Sequence, residues 1–436
     1  MSLVESMART LAELHVQRKE KTHVVDSGLV RRPLDRYPYA GKVYGVDEVA
    51  ALLCEAERCW LTEGPGARQF EAALEGIVGH KVITCNSGSS ANLLAVSAAM
   101  DEKFGSCKWC RGHEIATTAL GFPTTLAPLV QRGLRPVFID VDLHTWNVDV
   151  DEFAQAADEH DFAGAMFAHT LGNPFDVGSV RSILGPNKIL IEDACDALGS
   201  TIDGQPCGSF GHFATFSFYP PHHITTGEGG AVACSPEGAA TVVRSLRDWG
   251  RDCTCEAGQN NRCGHRFDGQ WGKLPEGYDH KFVYSRAGYN LKMTDLQARV
   301  GVVQLGRLAA FKDARRRNWN TMRVALVDVI DSGLIDYQHM HPYSVPSPFG
   351  FGIRLTGCKR RRRDVVADLA AQGIDTRHPF AGNLARQPAF LGVGGEAPLP
   401  NTDMLCERAF FVGVYPGLSA DDVRHVAAAI VRAVTK

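Results

Sequence analysis

The chain has 436 residues, with 46 Lys and Arg against 49 Asp and Glu, a formal charge of −3. Hydrophobic residues make up 44% and charged residues 22%. This ordinary globular mix excludes wholesale disorder, and the balanced charge excludes the basic footprint of a nucleic-acid binder. The longest apolar stretches, such as Val423–Val434 with its interleaved Arg and His, are too short to span a bilayer. Residues 1–21 are charged throughout and lack the apolar core of a secretory signal. The expectation is a cytoplasmic protein that engages neither nucleic acid nor membrane.

Residues 1–20 read as a helix and residues 21–45 as an extended polar arm, together an N-terminal unit over 1–45. From 46 to 305, short β-rich runs alternate with helical ones. KVITCN, HEIATTAL, RPVFIDV, FAGAMFAH, KILIED, HFATFSFY and GGAVAC read as strands; SSANLLAVSAAM, DVDEFAQAADEH and PEGAATVVRSLRDWG read as helices. Strands separated by helices argue for an α/β unit with a mainly parallel sheet covered on both faces. One long helical stretch from Thr294 to Val327 leads into a smaller unit over 306–436, with strand FGIRL, helix RRDVVADLAAQG and the amphipathic helix SADDVRHVAAAIVRAV. The basic run Lys359–Arg363 reads as a solvated turn before a helix, because the rest of the chain is not basic.

Three motifs carry chemistry. Asn86-Ser87-Gly88-Ser89-Ser90 leaves a strand and opens a helix, where free N–H groups attract anions and the Ser89 and Ser90 hydroxyls add donors. Alone it reads first as an ordinary serine N-cap. The segment ILIEDACD, residues 189–196, ends an apolar strand in carboxylates at the sheet edge where open α/β folds bind ligands. A carboxylate there can hold a pyridinium nitrogen protonated, or simply cap a turn. The segment SFYPPHHITTGEGG, residues 217–230, sets paired Pro and paired His in a tight loop, and two histidines there suggest acid–base work.

The 13 cysteines are an odd number in a chain without a secretion signal, which argues against a disulfide framework. Cys54, Cys59, Cys85, Cys207, Cys234, Cys358 and Cys406 read as small buried residues. Cys253, Cys255 and Cys263 differ, because RDCTCEAGQNNRCGHRFDGQWGK is no place for buried structural thiols. Both a [2Fe–2S] cluster and zinc take four such ligands. Cys107 and Cys110, with His113 nearby, lack an identifiable fourth ligand and read as ordinary thiols.

In their order and spacing, SGSSA, IEDACDALG, SFYPPHHITTGEGGAV and GYNLKMTDLQA resemble the DegT/DnrJ/EryC/StrS sugar aminotransferase and dehydratase family. These are vitamin B6 enzymes acting on nucleotide-linked 4-ketosugars. The resemblance spans about residues 40–430. It implies the aspartate-aminotransferase fold (fold type I, with a mainly parallel seven-stranded sheet), a large cofactor-binding domain over 46–305, a small C-terminal domain over 306–436, and a homodimer with active sites at the subunit interface. It also implies that Gly88, Ser89 and Ser217 hold the cofactor phosphate, that Asp193 pairs with the pyridine nitrogen, and that Asp196 lies near the ring's phenolic oxygen. Phe122 would stack on the ring unless it is a core aromatic, and Asn290 would reach the phosphate of the neighbouring subunit's cofactor.

Family aminotransferases read S-F-x-P-T-K where this chain has His222 in the lysine slot. Imidazole cannot form the internal Schiff base, yet it moves protons near neutral pH. The resemblance therefore implies pyridoxamine 5′-phosphate held without a covalent bond, His222 as base at C4′, and loss of the C3 hydroxyl rather than net amine transfer. Such dehydrases come in two kinds, one metal-free and one carrying a [2Fe–2S] cluster. With Cys195 as fourth ligand the order C-x57-C-x-C-x7-C resembles the iron–sulfur 3-dehydrases of dideoxyhexose biosynthesis, which act on CDP-4-keto-6-deoxyglucose. His265 is a weaker fourth candidate. The implied partners are a CDP- or dTDP-linked 4-keto-6-deoxyhexose and an NADH-dependent iron–sulfur flavoprotein reductase, with the metal loop over 251–280. Arg377 and Arg386 are candidates for the substrate diphosphate or, equally, for surface ion pairs. The rival reading is a metal-free sugar dehydratase or an aminotransferase.

Overall fold

Seven short runs dense in β-branched and apolar residues assemble into one sheet: β1 (Lys81–Cys85), β2 (Glu114–Thr118), β3 (Arg135–Ile139), β4 (Gly164–Ala168), β5 (Ile189–Asp193), β6 (Phe213–Ser217) and β7 (Gly230–Cys234). Their order across the sheet is β1-β7-β6-β5-β4-β2-β3. The β2–β6 ladder is parallel, and β7 runs antiparallel to both β1 and β6. Every residue of β5, β6 and β7 is buried, as strands covered on both faces require. All seven strands fall on the runs read from the sequence. The computed structural model describes residues 3–18, 36–41, 43–256, 258–395 and 397–436.

The helices are α1 (Leu3–Arg18), α2 (Val46–Glu57), α3 (Pro65–Val78), α4 (Gly88–Ala99), α5 (Pro123–Gln131), α6 (Val150–Glu159), α7 (Val177–Leu184), α8 (Ala239–Arg247), α9 (Asp295–Gly306), α10 (Leu308–Ala325), α11 (Val327–Asp331), α12 (Arg362–Ala371), α13 (Pro400–Arg408) and α14 (Ala420–Thr435). Asp295, the first residue of α9, is fully buried because its carboxylate accepts the N–H groups of Gly64, Gly66 and Ala67 at 2.7–2.9 Å. It thereby caps α3, whose first N–H groups have no partner within the helix. The single helix expected over 294–327 breaks instead at Arg307, which closes α9 and opens α10. Gly306 weakens the helix there, and Arg307 turns to Glu48 and Asp47 at 3.2 Å each.

A smaller antiparallel sheet, β8 (Ile335–Tyr337), β9 (Gly350–Leu355) and β10 (Ala409–Gly413), carries α12, α13 and α14. The basic run before α12 is a turn: Arg360 binds Asp368 and the Ala433 carbonyl, and Arg362 the Ala409 carbonyl. Of the expected polar arm, residues 19–35 and 42 lie outside the described residues. Its described part lies extended along the small unit, with Tyr37 exchanging hydrogen bonds with Gly373 and Asp375. Among the described residues no helix is long and apolar enough to cross a membrane. Of the cysteines read as buried, Cys85, Cys207, Cys234 and Cys358 are so, Cys54 and Cys406 are half-buried, and Cys59 is exposed, just past α2 on a residue with φ of 54°.

His212 joins the sheet energetics to pH. It sits at the start of β6, its Nδ1 accepting the Leu190 N–H at 3.3 Å. Burial, aided by the Arg181 cation, holds this imidazole down to about 4. The unfolded chain binds a proton at this residue below about pH 6.5 while the native state refuses it, so stability is lost as pH falls from about 6.5 toward 4. Replacing His212 by Asn, which keeps the acceptor without the titration, is expected to flatten urea-melt stability across that window. An unchanged slope would assign the acid sensitivity elsewhere.

Candidate active site

A cleft of about 380 Å³ opens at the carboxyl ends of the parallel strands, where doubly wound folds place ligands. Successive strand residues point to opposite faces, and this divides the two carboxylates that end β5. Glu192 faces away from the cleft and is fully buried. It is satisfied by the N–H groups of Gly208, Phe210 and Gly211 at 2.6–2.8 Å and by His169 Nε2 at 3.0 Å. Asp193 faces the cleft. Its Oδ2 accepts from Asn92 Nδ2 at 3.0 Å and Thr125 Oγ1 at 2.6 Å, and its Oδ1 from the Cys195 N–H at 3.2 Å. Asn92 is itself fixed by Thr215 Oγ1 at 2.6 Å. Asp193 therefore presents a carboxylate of fixed orientation to whatever enters.

The β1–α4 turn serves as both cap and cradle. Ser87, not Ser89 or Ser90, is the N-cap, its Oγ accepting the Ser90 N–H at 3.1 Å. Gly88 and Ser89 line the cleft at the start of α4, opposite Ser217. A β-carbon on Gly88 would lie 2.5 Å from Ser217 Cβ and 3.1 Å from Cys195 Sγ, so only glycine leaves the cradle open. Phe122 is half exposed and lines the cleft rather than the core. A helix N-terminus with two serines, and an oriented carboxylate across the cleft, fit a phosphorylated pyridine.

The paired histidines separate. His223 is buried, bonds the Ser347 carbonyl through Nε2 at 2.7 Å, and is held well below the usual range by burial and then by the Arg315 cation. It is structural. His222 lines the cleft, and its Nδ1 lies 3.1 Å from Asp196 Oδ1 without the alignment of a hydrogen bond. The loop that carries them is clamped by Arg315, whose guanidinium donates to the carbonyls of Pro221, His222, Pro348 and Phe349 at 3.1–3.4 Å. Burial lowers Arg315 to about 10, which leaves it charged near neutral pH.

The loop thiols form a second constellation. Backbone N–H groups of Cys255, Arg262 and His265 donate to Cys253, Cys255 and Cys263 Sγ at 3.3–3.4 Å. The His280 contact, then the His265 N–H, lowers the Cys263 thiol, whereas burial raises that of Cys253. No three of these sulfurs lie within 4.8 Å of one another. His265 offers its backbone N–H to Cys263 rather than its ring. Cys195 lies in the cleft wall; burial and then the Asp193 carboxylate raise its thiol well above the usual range. Cys110 is tied to His113 Nδ1 through its N–H.

Of the two arginine candidates, Arg377 lines the cleft, its guanidinium 4.1 Å from the centre of the Tyr39 ring. Arg386 is mostly exposed, pairs with Asp403, and does not line this chain's cleft. Asn290 is exposed, bonded to Lys292 Nζ, and also lies outside it. Sequence reasoning missed Asn92, Thr125, Arg315, His280 and Tyr39. Asn92 sits one helical turn beyond Gly88 and so shares its face, a signal the sequence carried. Arg315 sits in an arginine-rich helix with nothing to mark it.

Residues 45–431 match the DegT/DnrJ/EryC1/StrS aminotransferase family, and the chain belongs to it. A dTDP-4-dehydro-2,6-dideoxy-D-glucose 3-dehydratase of Saccharopolyspora spinosa is 42% identical over 98% of this chain and 91% of its own length. The lipopolysaccharide biosynthesis protein RfbH of Salmonella typhimurium is 44% identical over 89% and 90%. Among solved structures, the E. coli GDP-4-keto-6-deoxy-D-mannose-3-dehydratase with bound hydrated PLP superposes with a TM-score of 0.79 at 25% identity, covering 90% of this chain and 99% of that one. The chain is thus an enzyme with the aspartate-aminotransferase fold.

Replacing Arg315 by Leu is expected to cost about 3 kcal/mol or more, since it strands four carbonyls that a buried charge satisfies. Denaturant melts check this, and a loss under about 1 kcal/mol would show the clamp to be dispensable.

Proposed function

We propose that this enzyme removes the C3 hydroxyl of a nucleotide-linked 4-keto-6-deoxyhexose, using non-covalently held pyridoxamine 5′-phosphate, and that a [2Fe–2S] cluster on Cys195, Cys253, Cys255 and Cys263 feeds in the electrons. The observation that carries it is His222: a cleft-lining imidazole with an unbonded Nδ1 in the slot of the family's lysine. The relative at 42% identity is named for the same C3 dehydration.

Pyridoxamine phosphate supplies an amine that condenses with the C4 ketone and a ring that stores an electron pair. Gly88, Ser89 and Ser217 hold its phosphate, and Asp193, locked by Asn92 and Thr125, keeps the ring nitrogen protonated. Phe122, in the cleft lining, would cover one ring face, and Asp196, 3.1 Å from His222, would lie near the phenolic oxygen. His222 would take the proton at C4′ and could return it to the departing C3 hydroxyl, which leaves as water. Arg377 binds the substrate diphosphate; Arg386 could join only from outside this chain's cleft. Replacing oxygen by hydrogen at C3 requires two electrons; a [2Fe–2S] cluster held by Cys195, Cys253, Cys255 and Cys263 would supply one-electron transfer from an NADH-dependent iron–sulfur flavoprotein reductase. The metal-free rival leaves the thiol loop without a use.

Asp248 and Asn290 pair as an antiparallel bridge at the base of the loop, so residues 251–280 leave and return beside Asn290. In a homodimer where Asn290 reached the neighbouring cofactor phosphate, the loop thiols would be carried toward the neighbouring cleft, and we infer that the cluster would take its Cys195 ligand across the subunit boundary.

Two experiments test this reading. His222→Asn is expected to reduce dehydration of the CDP or dTDP ketosugar at least about a hundredfold, the lower end of general-base contributions, while pyridoxamine phosphate still binds. Borohydride should attach no coenzyme to the wild-type chain; unchanged turnover or a trapped covalent adduct would refute the base role. For the cluster, Cys195→Ala and Cys253→Ala homodimers should each lack iron after anaerobic reconstitution. Mixed dimers of the two should recover one cluster per dimer. Mixed dimers without iron would refute ligation across subunits.

A further inference from the structure

His280 is buried beside the thiol loop, and its ring is fixed on three sides. Nε2 lies 2.8 Å from Asp252 Oδ2, Nδ1 lies 3.6 Å from Cys263 Sγ, and the Trp271 ring stacks on it at 4.2 Å with an interplanar angle of 4°. Its backbone is fixed as well: its N–H donates to the Arg266 carbonyl at 2.8 Å, and Arg266 makes two bonds to the adjacent Asp279. Asp252 immediately precedes Cys253, so the backbone that carries one thiol also orients the imidazole facing another.

With Nε2–H given to a carboxylate, Nδ1 faces sulfur, and it has a proton to donate there in the imidazolium form. Among the described residues, the N–H···S bonds of Cys253, Cys255 and Cys263 come from backbone. His280 is the side chain whose ring meets one of these sulfurs, that of Cys263. A carboxylate behind a histidine that faces a metal site is the usual way proteins fix ring orientation.

We propose that His280 is a positioning residue of the metal loop: it donates a hydrogen bond to the Cys263 sulfur and thereby raises the reduction potential of the bound cluster. This rests on the iron–sulfur reading above. Reduction adds one negative charge, spread partly over the sulfurs, and a donor to sulfur stabilises the reduced form more than the oxidised one. Removing the donor should make the cluster harder to reduce.

The test uses the full-length dimer, reconstituted anaerobically and assayed for iron and sulfide, with histidine carrying 15N in the ring only. Pulsed EPR of the reduced wild type is expected to show a weak ring-nitrogen coupling. His280→Leu should lose it and shift the potential negative in a redox titration at unchanged iron content. His280→Asn, whose amide can reach the same sulfur, should restore much of the potential. An unchanged potential in His280→Leu overturns the proposal, and so does a strong coupling, which would make His280 a direct ligand. If His280→Leu cannot hold iron, the wild-type spectrum decides: weak ring coupling supports the proposal and its absence overturns it. Wild-type protein without iron overturns the iron–sulfur reading, and this proposal with it, and the iron assay distinguishes that failure from the others.

Discussion

Burying a carboxylate at the end of a central strand obliges the fold to surround it with donors, and those donors decide what the cleft can do. Strand β5 ends in two carboxylates, and its pleat sends them to opposite sides. Glu192 is saturated by three backbone N–H groups and His169, which ties the β5–β6 connection down and fixes where Asp193 emerges. Asp193 is held by donors from α4 and α5, through Asn92 and Thr125. The helix whose N-terminus forms the anion cradle is therefore the one that orients the carboxylate across from it. A phosphate at this N-terminus and a ring at Asp193 could not drift independently, because Asn92 of α4 joins the two.

The loop after β6 meets a different constraint. On the proposed reaction it would have to present a proton-transfer group without the covalent tether that a lysine gives a cofactor. Arg315 supplies rigidity from below by holding four carbonyls, two from this loop and two from the segment before β9. A buried guanidinium costs desolvation and is worth keeping only where its donors are nearly all used. Here it ties the histidine loop to the segment that enters β9, so the position of His222 depends on both.

What the sequence revealed follows from how local each feature is. The seven strands were legible because each is a compact apolar run bounded by turn residues. The paired histidines looked equivalent, and only packing against Ser347 and Arg315 sends His223 into the core and leaves His222 in the cleft. The break at Arg307 was invisible to periodicity, because the apolar pattern continues through it while Asp47 and Glu48, far away in sequence, draw the arginine aside. Asn92 and Thr125 were within reach, each sharing a helical face with a residue already singled out. Arg315 and Tyr39 act through partners distant in sequence, and no local pattern marks them.

The thiol loop extends the same logic to electrons. On the proposed reading, proton movement would belong to the cleft, where β5, α4 and the clamped loop fix each group. The thiols of residues 251–280 lie outside that frame, in a segment with few apolar anchors, where metal ligation must supply much of the order. What order the loop has of its own comes from polar contacts: Arg266 on Asp279, Asp252 on His280, and backbone N–H groups on sulfur. Such contacts set direction better than they set stability, and a redox group needs its sulfurs directed before it needs them rigid. Cys195 is the exception. Its sulfur sits in the stiff cleft wall beside Asp193, where a thiolate is disfavoured until a cation compensates it. A cluster that took it as ligand would be joined to the chemistry by its least yielding atom.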